Sequence, residues 1–227
     1  MLPQLESLGK VAATLREVRG ERFVFAGASI LPLFLDAAFA GALRRTKDTD
    51  VVVPVLHYAE WSRLRDALVA VGFRERADVR MPRQILFWLG DIQVDFIPAR
   101  MSEFGMKDRW LSLGYDLAEA DELENGETFL RLPVSAWLAA KIAAFEERGR
   151  RDILMSKDLE DIAMLLIGRR TLAADVNGAS GEIRAHIVEA FRSWRNQSAV
   201  LDALDGSVTA ASERQVLEMR FGEIAAS

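Results

Sequence analysis

The stretch RRTKDTDVVV, residues 44–53, sets two aspartates one residue apart at the mouth of an apolar run. Side chains alternate faces along a strand, so Asp48 and Asp50 point the same way. Their carboxylates repel each other unless a cation lies between them. A third acid, Asp95, falls on the polar side of a later strand, where Ile92, Val94 and Phe96 share the opposite face. If the two strands are neighbours, three carboxylates converge, the arrangement that holds hard divalent ions against a triphosphate and deprotonates an attacking hydroxyl. Taken alone, Asp-x-Asp more often marks turn residues flanking a strand, and Asp95 fits an exposed hairpin residue.

Other residues bear on that choice. In FVFAGASILPLF a strand runs into Gly27-Ala28-Ser29 and then a helix. Backbone amides at such a helix start, with a serine hydroxyl, form an anion site, although an ordinary turn with Ser29 as N-cap has the same look. Lys141 sits within the apolar stripe of SAWLAAKIAAFEERG, one turn from Trp137 and from Phe145. Its ammonium must snorkel out or meet an anion, such as a phosphate. In SKDLEDIAMLL, Leu159, Ile162, Ala163 and Leu166 make the buried stripe, which leaves Asp158 and Asp161 on a flank, where the helix dipole favours acids. Arg148, Arg150 and Arg151, and Arg44, Arg45 and Lys47 beside the Asp pair, are solvated faces or a landing place for a polyanion.

The elements that must position these groups follow from periodicity. The pattern predicts a helix in LESLGKVAATLREVR, a strand in RFVFAG, a helix over 29–43, a strand in DTDVVVPV stopped at Pro54, and a helix in YAEWSRLRDALVAVGF closed by Gly72. RQILFWLGDIQVDFIPA reads as a hairpin turning at Gly90-Asp91, and ENGETFLRLP as one more strand in a less regular 100–132 region. From Pro133 onward only helices are expected, in VSAWLAAKIAAFEERG, SKDLEDIAMLLIG, GEIRAHIVEAFRSWR and ASERQVLEMRFGEI. The division is therefore an α/β part over 1–132 and a helical part over 133–227.

Composition narrows the chemistry. The 227 residues include no cysteine and two histidines, His57 and His186, which excludes thiolate sites and disfavours a histidine-rich zinc site. A metal here should be magnesium or manganese on carboxylates. The net charge of −5 argues against a whole-surface nucleic-acid binder but permits a local basic patch. No signal peptide or membrane span is expected from MLPQLESLGK or ILPLFLDAAFAGAL, so a cytoplasmic protein is the default.

In order, Gly27-Ala28-Ser29, RRTKDTDVVV, VDFI and LAAKIAAFEERGRRDILMSKDLEDIAMLL resemble the AbiEii/AbiGii-type nucleotidyltransferases of the polymerase-β-like superfamily, over about residues 20–168. The resemblance implies an α+β fold, a small mixed β-sheet with flanking helices followed by an all-helical C-terminal bundle, with the active site between them. It implies transfer of a nucleoside monophosphate from an NTP to a hydroxyl with Mg2+ or Mn2+. Asp48, Asp50, Asp95 and Lys141 would be catalytic, and the three aspartates would bind the metal. Gly27, Ala28 and Ser29 would hold the triphosphate, Lys141 would contact phosphates, and Asp158 and Asp161 would support it. Members of this branch are toxins of toxin–antitoxin or phage-defence systems, some of which modify the tRNA 3′ end, so tRNA and an antitoxin are implied partners. Ala28 departs from the superfamily, which usually has a second Gly or Ser there; alanine keeps the amide and loses the hydroxyl option. The other readings are a catalytically silent nucleotide- or partner-binding protein on the same fold, and an enzyme whose acceptor is a protein or a small molecule.

Overall fold

A computed structural model describes residues 2–39, 43–44, 46–75, 85–98, 100 and 109–227. The expectations for Arg45, for residues 40–42 and for 83–84 lie outside that set. The chain forms two compact units, Met1–Ile30 with Arg44–Pro133 and Leu31–Leu43 with Val134–Ser227.

The first unit contains α1 (Pro3–Leu15), β1 (Val24–Ala26) and a 3-10 turn (Ala28–Ile30) leading to α2 (Leu31–Phe34), which belongs to the other unit. It continues through β2 (Asp48–Val53), α3 (Tyr58–Ala70), β3 (Arg74–Glu75), β4 (Ile85–Leu89), β5 (Ile92–Pro98), α4 (Arg109–Asp116), β6 (Glu119–Glu122) and β7 (Thr128–Arg131). The strands make one mixed sheet in the order β3-β4-β5-β2-β1-β7-β6. β2 pairs with β5, and β1 with β7, in parallel; the other pairs are antiparallel. Gly90 takes φ +62° in the tight turn between β4 and β5, as the Gly-Asp pattern requires. Val51, Val53, Phe87, Val94 and Phe96 are buried on one sheet face, where Trp61 of α3 meets Phe87 edge-on and Phe73 meets Phe96.

The periodic pattern did not announce β3, α4 or β6. β3 is two residues long and exposed, and β6 reads EADE, with no apolar alternation. β6 exists because the Asn125-Gly126 turn folds it onto β7, where Arg131 binds both Glu119 and Asp121. Its acidic exposed side also discourages edge-to-edge pairing.

The second unit holds α5 (Val134–Arg148), α6 (Lys157–Gly168), α7 (Leu172–Asn177), α8 (Gly181–Trp194), α9 (Ser198–Gly206) and α10 (Ala211–Ala226). Ser156 caps α6 by accepting from the Leu159 amide at 3.4 Å. Trp137, Phe145, Phe191 and Trp194 fill the core, and the Trp194 indole donates to Glu146 at 2.8 Å. The α+β class with a helical C-terminal part is thus the observed one.

Of the helix expected over 29–43, the described residues form α-helix at Leu31–Phe34. Tertiary contacts end it: the Arg169 guanidinium donates to the Phe34 carbonyl at 3.0 Å. The Asp36 amide then donates to the Gly168 carbonyl at 2.7 Å, and Asp36 pairs with Arg170. These bonds draw the chain along the end of α6 in place of further helical turns. Among the described residues no helix is long and apolar enough to cross a membrane.

Arg220 of α10 is buried and donates to the Leu166 and Ile167 carbonyls at the C-terminus of α6. Arg220→Met keeps the apolar stem and orphans two acceptors. It is expected to destabilise the protein by about 1–3 kcal/mol in urea denaturation; a variant as stable as the wild type would remove the clamp from the account.

Candidate functional site

The register settles which face the acids share. β2 and β5 run parallel with Asp50 opposite Asp95 and Asp48 opposite Gln93. Directly paired residues lie on the same face, so Asp48, Asp50, Gln93 and Asp95 all stand on the face away from Val51, Val94 and Phe96. The two-residue period fixed Asp48 and Asp50 together, and the strand pairing adds Asp95. Among the described residues, no three His, Cys, Asp or Glu side chains are grouped so that they could hold a metal ion.

Asp95 is a buried acid on this face. It is 7% exposed. Burial first, and the negative field of Asp48 second, push its pKa up to about 6, against a smaller lowering by a 3.5 Å hydrogen bond from Gln93. Thr46 donates a hydrogen bond to Asp48. Neither Gln93 nor Thr46 was singled out for a role by the motif reading; the signal for Gln93 was its place two residues before Asp95.

The donor type on this face, carboxylate oxygen in a chain without cysteine, is the type that hard divalent ions take.

Gly27 closes this side of the site. Its φ is +65°, and a Cβ built there would lie 1.6 Å from Oδ2 of Asp50. Only glycine lets the turn pass the carboxylate. Ser29 is not an N-cap standing before the helix. It lies inside the 3-10 turn, 1% exposed, with its hydroxyl donating to the Ala26 carbonyl at 3.2 Å.

Within the helical unit Lys141 neither snorkels nor stays alone. Its ammonium donates to Asp158 at 3.1 Å and Asp161 at 2.6 Å, and stands 5.5 Å from the Trp137 ring centroid. Asp158 and Asp161 are buried, not flanking, because these charges meet them. Arg148 makes a two-point contact to Asp158 at 3.2 and 3.3 Å. Burial opposes charge on Lys141, but Asp161 and Asp158 outweigh it and raise its pKa. Burial likewise pushes Asp158 up, yet Lys141 and Arg148 reverse that and hold it below the ordinary value. The Asp158 contribution to stability is therefore lost as pH falls through its lowered folded pKa, and that of Lys141 as pH rises through its raised one.

No family model matches the chain, and no curated protein does. The AbiEii-type resemblance therefore stands on its motifs. Solved structures with some likeness include the antibiotic-resistance factor ANT(2'')-Ia in solution, at 17% identity and TM-score 0.47 over 88% of this chain and 95% of that one. The crystal structure of ANT(2'')-Ia with adenylyl-2''-tobramycin gives 15%, 0.49, 85% and 99% in the same order. JHP933 from Helicobacter pylori gives 12%, 0.48, 100% and 93%. No role is transferred from likeness at this level.

Two outcomes follow from the geometry. The carboxyl of Asp95 releases its proton near pH 3.8 when unfolded and near 6 when folded. Ionisation therefore destabilises the ion-free fold as pH rises between those values. Asp95→Asn is expected to stabilise the protein in EDTA at about pH 8, by up to about 3 kcal/mol, and not at about pH 4. Equal effects at both pH values in urea titrations would refute this. Gly27→Ala is expected to lower stability by more than about 1 kcal/mol, from the left-handed φ and the clash with Asp50; a melting temperature equal to the wild type's would contradict the close approach.

Proposed function

We propose that the protein is a nucleotidyltransferase that moves a nucleoside monophosphate from an NTP to an acceptor hydroxyl, with residues 1–132 as its nucleotidyltransferase-like domain and 133–227 as its helical domain. The observation that carries this reading is the shared sheet face of Asp48, Asp50 and Asp95, with Asp95 buried and its pKa raised to about 6. A carboxylate on that face, directly opposite Asp50, suits a general base. Asp95 takes the proton of the acceptor hydroxyl, and the hydroxyl oxygen forms a bond to the α-phosphorus. The bond from that phosphorus to the bridging oxygen breaks, and pyrophosphate leaves with the electron pair. Asp48 and Asp50, with Asp95, would hold magnesium or manganese, whose positive charge would offset the negative charge of the triphosphate. The turn at Gly27, Ala28 and Ser29 is assigned to the phosphates through its backbone amides, since the Ser29 hydroxyl is engaged with Ala26. Lys141, Asp158 and Asp161 keep the nucleotide-binding role that the resemblance implies, and within the helical unit they form one ion-pair cluster that keeps Lys141 charged.

The sequence resemblance makes a tRNA 3′ end and a toxin role the wider form of this reading, and a small-molecule hydroxyl its other form. The test is transfer of label from each α-labelled NTP with magnesium, to total tRNA and to small hydroxylated acceptors. Asp50→Asn is expected to remain folded and lose at least about a hundredfold in rate. Transfer persisting at the wild-type rate in that variant would sink the mechanism.

A further inference from the structure

The register carries a second pattern on the face of the acids. Asp48 of β2 pairs with Gln93 of β5, Gln93 with Trp88 of β4, and Trp88 with Arg74 of β3. One cross-strand row therefore runs from a carboxylate through a carboxamide to an indole. Two strand spacings separate Asp48 from Trp88, roughly 10 Å of backbone. A cavity of about 300 Å³ opens at this end of the sheet, bordered by Asp48, Gln93, Trp88 and Asp91, with Gln4 and Ser7 of α1 on its other side. The void is at the small end of ligand sites and holds one ring-sized molecule.

We propose that this cavity is the acceptor subsite of the nucleotidyl-transfer reaction, on which reading it rests, and that it takes a sugar-sized polyol carrying no anionic group. Three features select that class. The indole of Trp88 offers a flat apolar face of the kind on which the C–H face of a sugar ring lies, with a polar edge beside it. Gln4, Ser7 and Gln93 supply neutral donors and acceptors spaced around the ring, which match hydroxyl groups. Among the bordering residues Lys47 carries one positive charge, and Asp48 and Asp91 two negative ones. With Asp48 committed to the metal, Lys47 and Asp91 leave the other bordering side chains without net charge, which suits a neutral molecule. A ring seated on Trp88 spans the row towards Asp48, one residue pair along the strands from Asp95. Trp88 and Ser7 are thus specificity-determining residues, outside the proposed proton transfer.

The experiment is saturation-transfer NMR on the full chain with magnesium and a non-hydrolysable ATP analogue. The probes are glucosamine, galactose and myo-inositol, and the proteins are wild type, Trp88→Leu and Ser7→Leu. The second variant fills the cavity from α1, leaving the sheet intact if Trp88→Leu fails to fold. Ring protons of at least one probe are expected to saturate with wild type and to weaken at least about tenfold in each folded variant. No saturation by any of the three, or an unchanged signal in the folded variants, overturns the proposal. So does label transfer to tRNA with no response from the probes. A thermal shift with the nucleotide on the same samples separates the two levels. A nucleotide response without probe binding removes the subsite alone, and no nucleotide response removes the transfer reading together with the acceptor role.

Discussion

The parallel pairing of β2 with β5 is the constraint on which the candidate site depends. It sets Asp50 beside Asp95 and places Asp48 near enough to raise the Asp95 pKa. The same pairing puts Val51 beside Phe96 and Thr49 beside Val94 on the buried face. A slip of one residue would turn the acids into the core and the valines out of it. Apolar burial therefore drives a register whose by-product is like-charge repulsion. The fold tolerates that repulsion because the acids lie at one end of β2 while the apolar Val51–Val53 run carries the burial.

The helical unit treats buried charge in the opposite way. Lys141 and Arg148 face Asp158 and Asp161, so two cations meet two anions and the cluster is close to neutral. Removing one member would leave a buried charge unmatched, which is far more destabilising than the intact cluster is stabilising. The sheet face holds carboxylates with no cation bonded to Asp95 in the described hydrogen bonds and ion pairs, although the protein plainly has the means to match charge when charge is structural.

Much of the layout was legible locally. The two-residue period placed Asp48 with Asp50 and Asp95 opposite Val94 and Phe96, and Gly90-Asp91 marked the hairpin. Lys141 inside an apolar stripe had either to snorkel or to meet an anion, and it meets Asp158 and Asp161. What stayed hidden was set by contacts distant in sequence. Asp158 and Asp161 follow Lys141 by 17 and 20 residues, so their own helix made them look like solvated flanks. The extent of α2 depended on Arg169, which lies 135 residues beyond Phe34. β6 has no apolar alternation and is held by its turn and by Arg131, which no periodicity measures.

Gly27 shows how local and distant constraints meet at one atom. The sequence marks a strand-to-helix turn, for which glycine is an ordinary choice. The structure gives a stricter reason, since β1 pairs with β2 so that Ala26 lies opposite Asp50 and the turn must pass the carboxylate. A side chain at 27 would displace the acid whose partner across the next strand is Asp95. The turn proposed to bind phosphate and the acids proposed to bind metal are therefore one mechanical unit. Their spacing is fixed by backbone pairing in the sheet, with no long side chain between them whose entropy must be lost each time a substrate arrives.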